Sequence, residues 1–244
     1  MLLQDFNKTI PDIVRLDYRT ADVFKKYGIN YCSNKDTSLL EICTSNNLDY
    51  NSILEELAEA TKTLTISSSL HFSEWKISFL IDYIVNVHHA YMHMAIPSLE
   101  NSLILFSESH STNHPETGKI LFLFHELSAL LIKHSRHEEE IIFPYIRQIE
   151  STHRRRETYG NLFVRTLRKP LSNIEKEHEE IMSVLKKIEA LTKNYTCSPN
   201  AGVDQFALYN KLKEFHCDML QHTYLEDRIL YPRAIEIEEE LLQL

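Results

Sequence analysis

The sequence predicts an all-α protein: a small helical amino-terminal domain followed by an up-down-up-down four-helix bundle. Three observations carry that expectation. Only four Gly and seven Pro occur in 244 residues, too few for a turn-rich β fold. Four long stretches place apolar residues at alternating steps of three and four, the buried stripe of a bundle helix. The links between those stretches are short, as antiparallel neighbours require. A hydrophobic content of 43% supports a real core, and the length suits one large domain or a small one plus a medium one.

Residues 1–60 form the expected small domain. Asp17-Tyr-Arg-Thr20 precedes Ala21-Asp-Val-Phe-Lys-Lys-Tyr27, and Gly28 is a natural helix stop. Residues 27–37 follow as a loop, residues 38–46 as a second short helix, and Ile53 to Ala60 as a third. So short a module holds a marginal core by itself, so it is expected to dock on another surface or to form a homodimer. Residues 61–73, with Thr65-Ile-Ser-Ser-Ser69, are polar and unpatterned and form the expected linker.

Residues 74–244 form the expected bundle. The first helix runs from Glu74 to about Leu105, with a stripe of Ile81, Val85, His89, Met92, Ile96 and Leu99, and Pro97 bends it. Residues 107–118 are a loop. The second helix runs from Lys119 to about Ile149 on Leu127, Leu131, His134, Glu138, Ile141 and Tyr145. Residues 151–169 form a basic connector with His153-Arg-Arg-Arg156. Pro170 suits the first turn of the third helix, striped by Leu171, Ile174, His178, Ile181, Leu185 and Ile188. The fourth helix runs from Gln205 to about Pro232 and onward, on Leu208, Leu212, Phe215, Met219, His222, Glu226 and Ile229.

Charge and cysteines narrow the function classes. A net charge of -9 gives no basic footprint for nucleic acid or an anionic membrane. No apolar run is long enough to span a membrane. The start lacks the basic and apolar regions of a signal peptide, and the four Cys make no Cys-x-x-Cys pair. A reducing, cytoplasmic setting follows. The compositional outlier is thirteen His.

One eleven-residue pattern occurs twice. His134-Ser-Arg-His-Glu138-Glu-Glu-Ile-Ile-Phe-Pro144 recurs as His222-Thr-Tyr-Leu-Glu226-Asp-Arg-Ile-Leu-Tyr-Pro232. Positions i and i+4 share a helix face, so each copy presents an imidazole with a carboxylate, and both fall where the stripe calls for Leu or Ile. A buried Glu must be paired, protonated or bound to a metal. One copy alone fits a satisfied polar pair; two in matching register point to a metal site. The other two stripes each carry a His, His89 and His178. From His89 to His134 is 45 residues and from His178 to His222 is 44, so the bundle looks like two hairpins of one pattern. A fifth imidazole could come from His110, in the loop after the first helix, with His114 as its neighbour and alternative. This set, rich in nitrogen with two carboxylates and no thiolate, suits two first-row metals bridged by the carboxylates, iron first. It is larger than a single zinc needs. The ferritin-like pattern requires Glu-x-x-His on two helices; Glu175 to His178 fits, but Met219 precedes His222.

These motifs carry a resemblance. Tyr27-Gly-Ile-Asn-Tyr-Cys32, His88-His-Ala-Tyr-Met-His-Met-Ala-Ile-Pro97, His110 with His114-Pro, Glu177-His178-Glu179 and the two His-x3-Glu motifs together resemble the RIC (repair of iron centres) family. These are bacterial di-iron proteins in which a short Cys-bearing domain precedes a hemerythrin-like bundle. The resemblance spans nearly the whole chain. It implies His89, His110, His134, Glu138, His178, His222 and Glu226 as ligands, with Glu138 and Glu226 bridging two Fe that also share an oxo bridge. It implies repair or protection of iron–sulfur clusters under oxidative or nitrosative stress, by iron delivery or by redox or NO chemistry at the di-iron site. Partners would be damaged iron–sulfur proteins or their assembly machinery, with O2 or NO as small ligands. The sequence departs from the family at Cys32-Ser33, where a Cys-Cys pair is usual, leaving Cys32 as a single thiol for iron or electron transfer. Three readings from other classes stand beside this one: a hemerythrin-like O2 or NO carrier or sensor, an NO-reducing enzyme, and a structural bundle whose His and Glu pair with each other.

Overall fold

The computed structural model describes residues 8–31, 37–62, 70–156 and 168–243, with side chains throughout these except for 168–173. Among them the chain is all-helical, with one isolated β-bridge between Thr9 and Ser38. The described residues fall into two compact units. One takes in residues of Met1–Ser68 together with Thr192–Lys213, the other Ser69–Leu191 and Glu214–Leu244. No described helix is long and apolar enough to cross a membrane.

The first unit contains α1 (Ile10–Leu16), α2 (Thr20–Lys26), α3 (Leu39–Ser45) and α4 (Tyr50–Ala60). Helix α1 was not expected from the sequence. Thr9 caps it by accepting from the Asp12 amide at 3.4 Å, and a Pro sits in its first turn. Gly28 ends α2 at φ +68°, a conformation that glycine adopts without strain. Helix α3 opens with a capping box: the Ser38 amide donates to Glu41 Oε2 at 2.8 Å, and the Glu41 amide donates to Ser38 Oγ at 3.3 Å. Ile10, Val14, Phe24, Ile53 and Leu57 are fully buried together. Val203 and Ala207 join that cluster. Arg15 also donates to the Ala201 carbonyl at 2.7 Å, and Lys211 pairs with Asp22. Residues 192–213, placed with the bundle by sequence, therefore belong with the small unit, whose core they enlarge. So few residues bury too little surface alone.

The second unit is built from four long helices. Helix α5 covers 77–110, α6 covers 117–155, α7 is Arg168–Leu191 and α8 covers 203–243, with 214–243 lying in this unit. Ile77–Tyr83 packs on Phe143–Arg155, and Ala90–His110 packs on Thr117–His137, so α5 and α6 run antiparallel; α6 also packs along α7. Ile84, Leu80, Ile142, Ile146, Leu225 and Leu230 are fully buried in one apolar cluster at the end occupied by Phe143–Arg155. Burying each such side chain contributes roughly 1.5–3 kcal/mol before entropy is counted.

Three of the helices contain a widened π turn, at Ile84–His89, Glu138–Ile142 and Glu226–Leu230. The Phe143 amide donates to the Glu138 carbonyl and the Tyr231 amide to the Glu226 carbonyl, five residues back in each case. Pro144 and Pro232 follow at once. Each lacks an N–H and crowds the carbonyl four residues back, which a widened turn accommodates. A π turn adds one residue to the helical step and shifts the buried stripe. Ile141, expected inside, is 55% exposed, and Ile142 takes its place at 0%. In α5 the same device turns both His88 and His89 inward, at 0% and 1% exposed.

Candidate metal centre

The π turns converge on one buried level of the bundle. His89 from α5, His134 and Glu138 from α6, His178 from α7, and His222 and Glu226 from α8 are all at most 3% exposed. Their ligand atoms form two groups of four, each with atoms within 4.8 Å of one another. One group is His89, Glu138, His222 and Glu226; the other is His134, Glu138, His178 and Glu226. The two groups share both carboxylates. His89 Nε2 and His222 Nε2 stand 3.2 Å apart, and His134 Nε2 and His178 Nε2 stand 2.9 Å apart. Nitrogen lone pairs brought this close need a cation or a proton between them. Glu138 Oε2 and Glu226 Oε2 are buried and make no hydrogen bond. Such orphaned acceptors are costly unless something positive meets them. The donor set therefore fits metal ions.

The electrostatics agree. Burial by itself would lower the His134 pKa, but the Glu138 carboxylate, with Glu226 behind it, outweighs burial and raises it to about 9. His178, likewise buried, is raised to about 10 by hydrogen bonds to Asp227 and Glu226 and by their charges. Burial would push Glu138 up, yet the charge and hydrogen bond of His134, joined by His89 and His222, hold it well below the usual carboxylate range. Without metal the site thus stores protons on nitrogen and negative charge on oxygen.

A second layer orients the clustered imidazoles. His89 Nδ1 meets Glu139 at 2.7 Å, His134 Nδ1 meets Glu177 at 2.9 Å, and His178 Nδ1 meets Asp227 at 2.8 Å. Carboxylates on the outer nitrogen fix the ring and leave Nε2 as the donor to a metal. The arrangement follows the duplication. Glu139 and Asp227 each come directly after a shared carboxylate, and Glu177 comes directly before His178. His88, directly before His89, takes the fourth place: it meets Asp218 at 3.0 Å and lies 5.9 Å from the His222 ring at 20°. Neither Glu139 nor His88 was among the ligands expected from the sequence. Tyr231 was missed altogether. It is buried, and its hydroxyl donates to Glu138 Oε1. The duplication offered a signal, since Phe143 holds the matching place before Pro144 and stacks 5.8 Å from His89. A groove lined by Glu175, Glu179, Met182 and Asp227 reaches the edge of His178.

His110 and its alternative, His114, stand apart from this cluster. His110 is corrected: the helix Ala90–His110 does not stop before it. Twenty-one residues of helix put it about 30 Å from His89, where its ring stacks on Phe106 at 4.6 Å. His114 lies beside it, at 6.3 Å between ring centres, and is equally remote from the cluster. Cys32 lies outside the described residues. His110→Ala should leave bound metal unchanged in elemental analysis, as should His153→Ala, whose imidazole pairs with Glu240 near the surface; depletion by either would break the six-residue assignment.

Comparison with known proteins agrees with this geometry. Residues 80–234 match the hemerythrin HHE cation binding domain, and residues 6–61 match a domain of unknown function, DUF542. The chain is similar to the iron-sulfur cluster repair protein YtfE of Escherichia coli O157:H7, 28% identical over 225 residues that cover 89% of this chain and 91% of the relative. It is similar at 27% identity, with the same coverage, to the proteins of that name from Citrobacter koseri and Escherichia fergusonii. With the matched region spanning most of its length and all six clustered residues, the chain belongs to the family of hemerythrin HHE cation-binding proteins.

Proposed function

We propose that the chain holds two iron ions in a carboxylate-bridged site and serves the repair of iron–sulfur clusters damaged by oxidative or nitrosative stress. The observation that carries the site is the pair of four-residue groups sharing Glu138 and Glu226. Two imidazoles and two carboxylate oxygens per ion suit iron, with no thiolate to favour a softer metal. His89, His134, His178 and His222 would be the terminal ligands and Glu138 and Glu226 the bridges. Bound iron would supply redox chemistry and an exchangeable metal. The chain's own part is to orient the imidazoles through Glu139, Glu177 and Asp227, to hold Glu138 through Tyr231, and to keep bulk water out. The repair role is supported by the named relatives, which align with 89% of this chain over 91% of their own length. Its partners would be damaged iron–sulfur proteins, with Cys32 as a single thiol that passes on iron or electrons. The cysteines that the structure describes, Cys43, Cys197 and Cys217, are free thiols, in keeping with a reducing, cytoplasmic setting.

The test is a damaged [4Fe–4S] dehydratase, treated with peroxide or NO and then mixed with the chain. Iron-loaded protein should restore activity, metal-free and Glu138→Ala protein should not, and Cys32→Ser should restore less at equal iron content. Equal recovery with metal-free protein would remove the repair role. A second reading, reversible O2 or NO binding, is favoured by one feature. Four protein donors per ion leave coordination positions for small ligands; a visible-band change on gas addition that reverses on degassing, without cluster repair, would select it.

A further inference from the structure

Three of the four clustered imidazoles rest on carboxylates; the fourth rests on an aromatic chain that leads out of the site. His88 stacks on His222 at 5.9 Å between ring centres. Tyr83 meets His88 edge-on at 5.5 Å, and Trp75 meets Tyr83 edge-on at 5.4 Å. Phe72 and Phe79 flank Trp75 at 4.8 Å each. His88 is fully buried, while Tyr83 and Trp75 are half-buried. Trp75 is the one tryptophan of the chain. Core packing accounts for the aromatic cluster by itself. It does not account for a fully buried imidazole, His88, whose Nε2 makes no hydrogen bond. Nor does it account for that imidazole standing where the duplicated pattern elsewhere supplies Glu177.

We propose that His88, Tyr83 and Trp75 form a route by which single electrons pass from the protein surface to the metal centre. It rests on the proposed iron site. Electron transfer falls off exponentially with distance, so short steps between rings outrun one long step. Phenol and indole rings give up an electron to a strong oxidant, whereas carboxylates and aliphatic side chains do not. The imidazole of His88 is harder to oxidise and serves as the bridge between His222 and Tyr83.

The oxidant that fits is a peroxide small enough to enter. Hydrogen peroxide takes up two electrons and two protons to give two waters. Where only one electron reaches it from the metal pair, the second is drawn from Tyr83 through His88 and His222, and Trp75 refills Tyr83. The net loss outside the centre is one electron and the indole N–H proton from Trp75, the proton passing to water. A thiol can then return a hydrogen atom to Trp75. Without a thiol the indole radical adds dissolved O2, and the peroxyl radical so formed takes a hydrogen atom from a second hydrogen peroxide molecule, giving a tryptophan hydroperoxide and a hydroperoxyl radical. The route thus spends a replaceable surface electron in place of an oxidised ligand.

The experiment is peptide mass spectrometry after hydrogen peroxide treatment of iron-loaded protein in air without thiol, beside metal-free protein. Oxygenated Trp75 should be several times more abundant in the loaded protein. Tyr83→Phe, which keeps the ring but not the oxidisable phenol, should bring Trp75 oxidation down to the metal-free level and move damage to the clustered His and to Met92. Trp75→Phe should instead mark Tyr83. Iron content and helical circular dichroism of each variant separate a lost site from a lost route. Equal Trp75 oxidation with and without iron, or in Tyr83→Phe at full iron content, would overturn the proposal while leaving the iron site standing; a chain that takes up no iron would remove the site itself. If Tyr83→Phe fails to load iron, Trp75→Phe decides: unmarked Tyr83 overturns the route.

Discussion

Glu138→Ala protein is expected to lose most of its metal from both halves of the site, while His134→Ala should lose the ion of one half and keep the other. The difference follows from counting shared donors. Glu138 and Glu226 each belong to both four-residue groups, and His134 belongs to one. Removing one hydrogen-bonding partner of a ligand typically costs about 10–100-fold in metal affinity, and removing a ligand common to two ions costs each of them a direct bond. Glu138→Ala also strips the Tyr231 hydroxyl of its acceptor and leaves it buried, a further cost of about 1–3 kcal/mol. Metal per chain and circular dichroism on the same samples check this. Full metal content in Glu138→Ala would remove the shared-carboxylate arrangement. Equal depletion by both substitutions would mean that neither ion binds without the other.

The sequence pointed to this cluster because duplication repeats the signal. A His and a Glu four apart on an apolar stripe occur twice, and every one of those positions lies buried at the same level. The rest was less legible for reasons of register. Helical periodicity assumes a constant step, and the π turns break it where the clustered residues sit. Ile141 was misplaced by that single extra residue, while all seven expected stripe residues of the last helix, from Leu208 to Ile229, are buried. Pro144 and Pro232, each ten residues after a motif His, were the visible cue to the widened turns. His110 failed differently. A loop was expected after about Leu105, but the helix continues through Ser107-Glu-Ser-His110. Serine and glutamate are tolerated in a helix as well as in a loop. Glu139 was missed because it is half outside: it is 39% exposed and yet reaches His89.

Removing the metal should lower the thermal midpoint, and the gap should widen as pH rises from 6 to 9. Metal bound only to the folded state stabilises it by about 2.7 kcal/mol at a hundredfold excess over Kd. For a chain of this size that is on the order of 5–10 °C. The pH dependence comes from His134 and His178, raised in the metal-free fold to about 9 and about 10. Protons held on these nitrogens at pH 7 must be displaced by a metal. Each proton released makes binding up to about tenfold tighter per pH unit, so uptake at pH 7 should acidify an unbuffered solution and tighten toward pH 9. The metal-free fold moves the other way. A His whose folded pKa lies above its unfolded value stabilises fully below the unfolded value, near 6.5, and that contribution fades as pH climbs through 9 and 10. Calorimetry of loaded and chelator-treated protein at pH 6, 7.5 and 9 reads both trends at once. A gap that stays constant or narrows with pH would show that the metal displaces no protons from His134 and His178, and that these imidazoles are not its ligands.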